Sequence, residues 1–94
     1  MKIPKKIKIG GFNWEVKEVG FIVDTKADAL GRMNPTILTI EILKSLAPEQ
    51  RNSVLLHEII EAIDMQCDLD LDHKTICVLE TMLYQVLKDN RLLC

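Results

Sequence analysis

The chain has few aromatic residues, no long apolar run and no large excess of charge of either sign. Its 94 residues include two Phe, one Trp and one Tyr, and the net charge at pH 7 is −2. A membrane-spanning helix needs ~20 consecutive apolar residues, which no run here approaches. The segment Met1–Pro4 leads into charged residues and not into a signal-peptide core. The sequence therefore predicts no membrane association and a cytoplasmic location.

Basic residues are too few for a general phosphate-binding surface. The pI is near 5.6, so nucleic-acid binding would depend on a local cluster of lysines. That cluster consists of Lys2, Lys5, Lys6 and Lys8. We interpret it as a solvated edge of the fold and expect no nucleic-acid partner.

Cysteine is scarce and unevenly spaced. Cys67, Cys77 and Cys94 are odd in number and form no CxxC pair. This argues against a disulfide framework and against a zinc knuckle built from cysteine pairs. We expect three reduced thiols.

The remaining composition, 48% hydrophobic and 28% charged, is typical of one small globular domain over residues 1–94. Residues 1–47 carry short strand-like patterns of period two, and residues 48–94 carry helical patterns of period 3.6. This separation predicts an α+β fold.

Three strands are predicted in the first half. Lys6–Ile9 alternates and stops at a Gly-Gly turn, and Phe12–Val19 alternates again, with Trp14 as the core anchor. A polar stretch without pattern, Asp24–Ala29, separates this hairpin from the β-branched run Thr36–Ile42. We expect a small antiparallel sheet of about three strands, with Thr36–Ile42 as an exposed edge.

Two helices are predicted in the second half. The first begins at Pro48, whose fixed φ suits a first turn, and ends near Gln66. The second is capped by Asp72 and ends near Asn90. The short acidic connection predicts an antiparallel hairpin packed on the sheet. The residues expected to form its apolar seam are Ile59, Ile63, Leu79 and Leu83.

The most informative motif is His57-Glu58-Ile59-Ile60-Glu61 on the first helix. Positions 57 and 61 are one helical turn apart, so their side chains share a face and can bind one metal ion. Imidazole and carboxylate are both zinc ligands, and Glu58 is the candidate general base for hydrolysis. The simpler alternative is a solvated helix face with an i, i+4 ion pair.

A third ligand would have to come from the second helix. In an antiparallel hairpin, residues at equal distance from the turn lie side by side, which predicts Glu80 opposite His57. His73 is the reserve ligand, because imidazole suits zinc better although the residue lies two turns earlier. One nitrogen with two carboxylates would also suit manganese or iron, so zinc is the first expectation and not the only one.

A resemblance to known proteins rests on two segments of the helices. They are LLHEIIEAI at residues 55–63 and LYQVLKDN at residues 83–90. The chain resembles small proteins encoded by phages and prophages of Gram-positive bacteria, which are similar to a minimal zincin core with HExxH on the equivalent helix. The resemblance covers nearly the whole chain. It implies that His57 is the first metal ligand, that Glu58 is the base and that Glu61 replaces the second His.

The function implied is that of a small metal-binding, metallopeptidase-like protein in the cytoplasm of a bacterial host. A peptide substrate or protein partner would add as a strand along Thr36–Ile42. The alternative is a non-catalytic interaction protein of a mobile element that keeps a degenerate zincin fold.

Overall fold

The computed structural model of the chain describes residues 2–23 and 29–92. Four strands are followed by two helices, as the α+β prediction requires. In chain order the elements are β1 (Lys6–Ile9), β2 (Phe12–Val19), β3 (Gly31–Asn34), β4 (Thr39–Leu43), α1 (Pro48–Cys67) and α2 (His73–Asp89).

The sheet has four strands in the order β1-β2-β4-β3 and is mixed. The outer pairs β1–β2 and β3–β4 are antiparallel, whereas β2 and β4 are parallel. The expectation of about three antiparallel strands therefore matches only roughly, since there are four strands and one of the three pairs is parallel. The long connection after β2 includes β3, and this length allows β4 to return beside β2 in the same direction.

The predicted edge strand Thr36–Ile42 is not an edge. Its first three residues form a turn, in which Leu38 has a φ of 51°, and β4 then lies between β2 and β3. A β-branched run suits a strand with neighbours on both sides, and Ile40 and Ile42 of β4 are fully buried. The edge beside β4 is β3, whose sequence Gly-Arg-Met-Asn carries little strand propensity. Residues 24–28 of the predicted irregular stretch Asp24–Ala29 lie outside the described residues.

The core lies between the sheet and one face of α1. Trp14 has no exposed surface, which confirms its predicted role as anchor. Leu55 and Ala62, two turns apart on α1, face the same cluster. The buried residues of this cluster are Ile9, Trp14, Val16, Ile40, Ile42, Leu55 and Ala62.

The helix boundaries follow the local signals. Pro48 opens α1, which ends at Cys67 and is followed by the C-cap Asp68 in the left-handed conformation with φ of 51°. Asp72 caps α2 by accepting a hydrogen bond of 2.8 Å from the backbone N–H of Thr75. The short turn returns α2 antiparallel along α1, as predicted.

The two helices do not meet through the predicted apolar residues, although Ile60 on α1 and Ile76 on α2 are buried outside the sheet core. Ile63, Leu79 and Leu83 are 40%, 38% and 42% exposed, so the expectation that they are core residues was wrong. Ile59 is partly buried against the sheet core instead. The reason is the layering: α1 lies between the sheet and α2, and among the described residues α2 contacts α1 but no strand. The apolar side of α1 is taken up by the sheet, so its polar side faces α2.

The amino-terminal lysines at positions 2, 5, 6 and 8 are all exposed, in line with a solvated edge. Within residues 2–23 and 29–92, no helix is both long enough and apolar enough to cross a membrane.

Candidate metal centre

Two polar stripes face each other between the helices. Both follow the spacing of three or four residues that places side chains on one face of a helix. Glu80 joins the two stripes through its contacts with Ser53 and His57. Asp64 accepts a bond of 2.9 Å from the backbone N–H of Leu71 in the turn before α2. The α1 stripe contains Ser53, His57, Glu61 and Asp64, and the α2 stripe contains His73, Cys77 and Glu80.

His57 lies at the centre of this interface and is bonded through both ring nitrogens. Its Nδ1 is 2.9 Å from Oε1 of Glu80, and its Nε2 is 2.9 Å from Oε1 of Glu61. The side chain is only 15% exposed. Both contacts were predicted, the first from equal distance to the turn and the second from the one-turn spacing.

Ser53 extends the network by one residue. Its hydroxyl donates to Oε2 of Glu80 at 2.5 Å, while the other oxygen of the same carboxylate bonds His57. Both oxygens of Glu80 are therefore held. The sequence reasoning missed Ser53, although its position one turn before His57 on the same face was a usable signal.

The surroundings raise the pKa of His57 from 6.5 to about 9. The hydrogen bond with Glu61 is the largest cause. Burial opposes the shift, whereas the bond with Glu80 and the negative charges of Glu61 and Glu58 add to it. In the metal-free protein the ring is therefore a cation at neutral pH, and a metal ion would have to displace the proton on Nε2.

His73 approaches the same site from α2. The rings of His57 and His73 are 5.7 Å apart between centroids and inclined at 66°. One ligand atom each from His57, Glu61 and His73 lies within 4.8 Å of the others, so these residues could hold a metal ion. Ligands of one zinc ion are ~3.3 Å apart, since each is ~2.0–2.2 Å from the metal in a tetrahedral site. Small side-chain rotations are therefore needed.

The structure brings the four predicted metal ligands together but gives them unequal positions. Glu61 bonds Nε2 of His57 and lies near His73, whereas Glu80 bonds the opposite nitrogen, Nδ1. An ion on Nε2 would contact Glu61 and His73 while Glu80 kept its bond to the ring. His73, the reserve ligand in the sequence analysis, is thus better placed for the metal than Glu80, which was preferred there.

Glu58, the predicted general base, lies outside this polar interface. It is 4% exposed and packs against β3, where its Oε2 is 3.1 Å from the position that a Cβ on Gly31 would occupy. The absence of a side chain at Gly31 allows this close approach. The carboxylate acts on His57 through its charge but lies on a different side of α1.

Cys77 is the further candidate that the sequence reasoning missed. Its Sγ is 3.4 Å from Nε2 of His73. Residues 73 and 77 repeat on α2 the i, i+4 spacing of residues 57 and 61 on α1, and this repetition was the available signal. Cys67, by contrast, is exposed, and both thiols are free.

In comparisons with protein-family models, with curated proteins and with solved structures, nothing matches the chain. What the site can do is therefore inferred from its own side chains.

Proposed function

We propose that this protein binds a divalent metal ion between α1 and α2 through His57, Glu61 and His73. The observation that carries the proposal is the convergence of these three ligand atoms within 4.8 Å. Two imidazoles and one carboxylate suit zinc better than the expected set of one nitrogen and two carboxylates, so zinc is the metal of choice. Manganese and iron are the alternatives that the same test covers.

Glu80 fits the role of a residue that orients His57. Metal-bound histidines commonly donate their second ring N–H to a carboxylate, which fixes the ring and strengthens it as a ligand. Glu80 accepts at Nδ1, and Ser53 in turn holds the other carboxylate oxygen. This arrangement keeps Nε2 directed towards Glu61 and His73.

The resemblance to phage-encoded, zincin-like proteins supports a hydrolytic role in the bacterial cytoplasm as the finer proposal. A metal ion would supply Lewis-acid chemistry, and Glu58 would act as general base in peptide hydrolysis. The sheet edge nearest Glu58 is the half-buried strand β3, which packs beside α1, and a peptide would add there and not at the internal strand β4. Because Glu58 is buried against β3, hydrolysis has less support than metal binding.

A non-catalytic interaction protein is the second candidate, and one observation favours it. Several large apolar side chains on α2 are exposed, which is a feature of surfaces that bind other proteins. They are Val78, Leu79, Met82, Leu83 and Val86.

Elemental analysis of the purified protein tests metal binding directly. We expect one zinc ion per chain in the wild type and loss of the metal in His57→Ala and His73→Ala. Glu15→Gln is the control, since Glu15 lies on β2 and pairs with Lys17 at 3.7 Å, away from the site. Equal metal content in all four proteins, or no metal in the wild type after zinc is supplied and excess removed, would contradict the proposal.

A further inference from the structure

We propose that Cys77 is a fourth ligand of the same metal ion, so that the site is closed and joins α2 to α1 structurally. This inference rests on the proposed metal site and specifies its donor set. A site with four protein ligands is typical of structural zinc, whereas a catalytic site keeps one position open.

Cys77 lies in the middle of the α2 stripe. Its neighbours on that stripe, His73 one turn before and Glu80 one turn after, both contact or approach His57 on α1. A residue between them on the same helix face is directed at the same part of α1. The thiol is partly buried there, whereas Cys67 at the end of α1 is exposed.

The distance to His73 fits a shared ion. Zinc binds nitrogen at ~2.0–2.1 Å and sulfur at ~2.3 Å, so two such ligands of a tetrahedral site are ~3.6 Å apart. Sγ of Cys77 is 3.4 Å from Nε2 of His73, so the proposed site takes Nε2 as the ligand atom of His73. The sulfur is not part of the group within 4.8 Å, so the Cys77 side chain must turn towards His57 and Glu61 when the metal binds.

The packing of α2 gives such a site a structural purpose. Ile76 is the one buried residue that the described helix contributes, and α2 contacts no strand in the described ranges. The contacts between α1 and α2 at the stripes are polar, and polar contacts exposed partly to water add little stability. A metal ion with ligands from both helices would strengthen the attachment of α2, since structural zinc contributes directly to folding.

The four proposed ligands also indicate which metal the site binds and whether it is catalytic. A thiolate is a soft ligand that zinc accepts and that manganese binds poorly. Two imidazoles, one carboxylate and one thiolate therefore point to zinc. With no open position for substrate or water, the same set favours the non-catalytic role over hydrolysis.

Cobalt(II) substitution of the full chain distinguishes this donor set from one without sulfur. We expect the wild type to show the near-ultraviolet charge-transfer band of a thiolate bound to cobalt, together with the visible bands of a tetrahedral site. Cys77→Ser should lose the charge-transfer band. It should also bind zinc more weakly by over ~100-fold, because losing a residue that only hydrogen-bonds a ligand already costs 10–100-fold. Cys67→Ser is the matched control and should retain the spectrum and the affinity.

Thiol alkylation of the wild type provides a second measurement that does not depend on a variant folding. Zinc should protect Cys77 from iodoacetamide and leave Cys67 reactive. Visible cobalt bands without a charge-transfer band, or equal alkylation of Cys77 with and without zinc, would overturn the role of Cys77 and leave the three-ligand site intact. Failure of the wild type to bind cobalt or zinc at all would overturn both proposals.

Discussion

At the scale of single residues, His57 is the group on which the site depends. Both of its nitrogens are engaged, and carboxylates lie on both sides of the ring. Glu61 bonds Nε2, Glu80 bonds Nδ1, and the ring of His73 lies 5.7 Å away between centroids. The same contacts that raise the pKa of the ring in the metal-free protein would orient it as a ligand once a metal ion displaced the proton.

The raised pKa predicts how the stability of the metal-free protein depends on pH. His57 has a pKa of about 9 when folded and 6.5 as its ordinary value. Its ion pairs therefore stabilise the fold fully below about pH 6.5, and this contribution is lost as the pH rises through 9. We expect the free energy of unfolding to fall by ~1–2 kcal/mol between these pH values. The fall is smaller than the whole pKa shift would give, because solvent screens the ion pairs. The titratable groups that face the ring are Glu61, His73 and Glu80, and the charge of Glu58 acts on it from another side of α1.

Urea denaturation in the presence of a chelator, at pH 6 and at pH 9.5, measures this effect. His57→Gln is the control, because it cannot titrate and should lack the part of the pH dependence that belongs to the ring. If wild type and His57→Gln lost the same free energy of unfolding between the two pH values, the ring would not be the titrating group.

Glu80 and Glu61 should differ in their effect on metal binding. Glu80→Gln is expected to weaken zinc binding by about 10–100-fold and to keep one ion per chain, because it alters a residue that orients a ligand. Glu61→Gln removes a ligand and should weaken binding more. Calorimetric titration of zinc measures both, with the exposed residue change Glu49→Gln as the unaffected control. A larger loss in Glu80→Gln than in Glu61→Gln would make Glu80 the ligand, as the sequence first suggested.

At the scale of elements, the contact between β3 and α1 depends on the missing side chain of Gly31. A Cβ there would lie 2.5 Å from Cγ1 of Val54 and 3.1 Å from Oε2 of Glu58. Gly31→Ala should therefore destabilise the protein by ~1–3 kcal/mol, the usual cost of overpacking. Gly20→Ala is the matched control, because a Cβ at Gly20 has no neighbour within 4 Å. Equal free energies of unfolding for the two variants would show that β3 and α1 are not packed this closely.

The position of α1 between sheet and α2 predicts which leucines matter. Leu55 is 2% exposed in the sheet-facing core, and Leu79 is 38% exposed on α2. Leu55→Ala should cost ~2–5 kcal/mol, whereas Leu79→Ala should cost less than ~1 kcal/mol. Chemical denaturation of the two variants side by side decides the matter. If Leu79→Ala lost as much free energy of unfolding as Leu55→Ala, Leu79 would belong to an apolar seam between the helices.

At the scale of the whole molecule, α2 is attached to the described sheet only through α1. If a metal ion joins the two helices, its removal should loosen α2 before the sheet. We expect a chelator to raise hydrogen exchange in the middle of α2 by at least ~10-fold, equivalent to ~1.4 kcal/mol, and to leave β2 and β4 almost unchanged.

Hydrogen exchange of His57→Ala provides the control, because a chelator should have no effect on a protein that binds no metal. Equal protection of α2 in wild type with and without chelator would show that the ion, where bound, does not hold the helix in place.

The sequence alone determined the local features. Pro48 and Asp72 marked the helix starts, the period-two patterns located β1 and β2, and the one-turn spacing placed His57 and Glu61 together. Each of these depends on neighbours within a few residues, and backbone geometry makes such relations regular. The contact between His57 and Glu80 was also predictable, because a short turn between two helices leaves little choice of register.

Only the tertiary structure decided the rest. Strand order, the parallel pairing of β2 with β4 and the existence of β3 depend on contacts distant in sequence, which periodicity does not specify. Periodicity showed that α1 has an apolar and a polar face but not which layer each would meet. Because the sheet covers much of the apolar face of α1, its polar stripe faces α2, and this brings His73 close to His57. That arrangement exposed Leu79 and Leu83, and it placed His73 in the group with His57 and Glu61, where the sequence had favoured Glu80 as the third ligand.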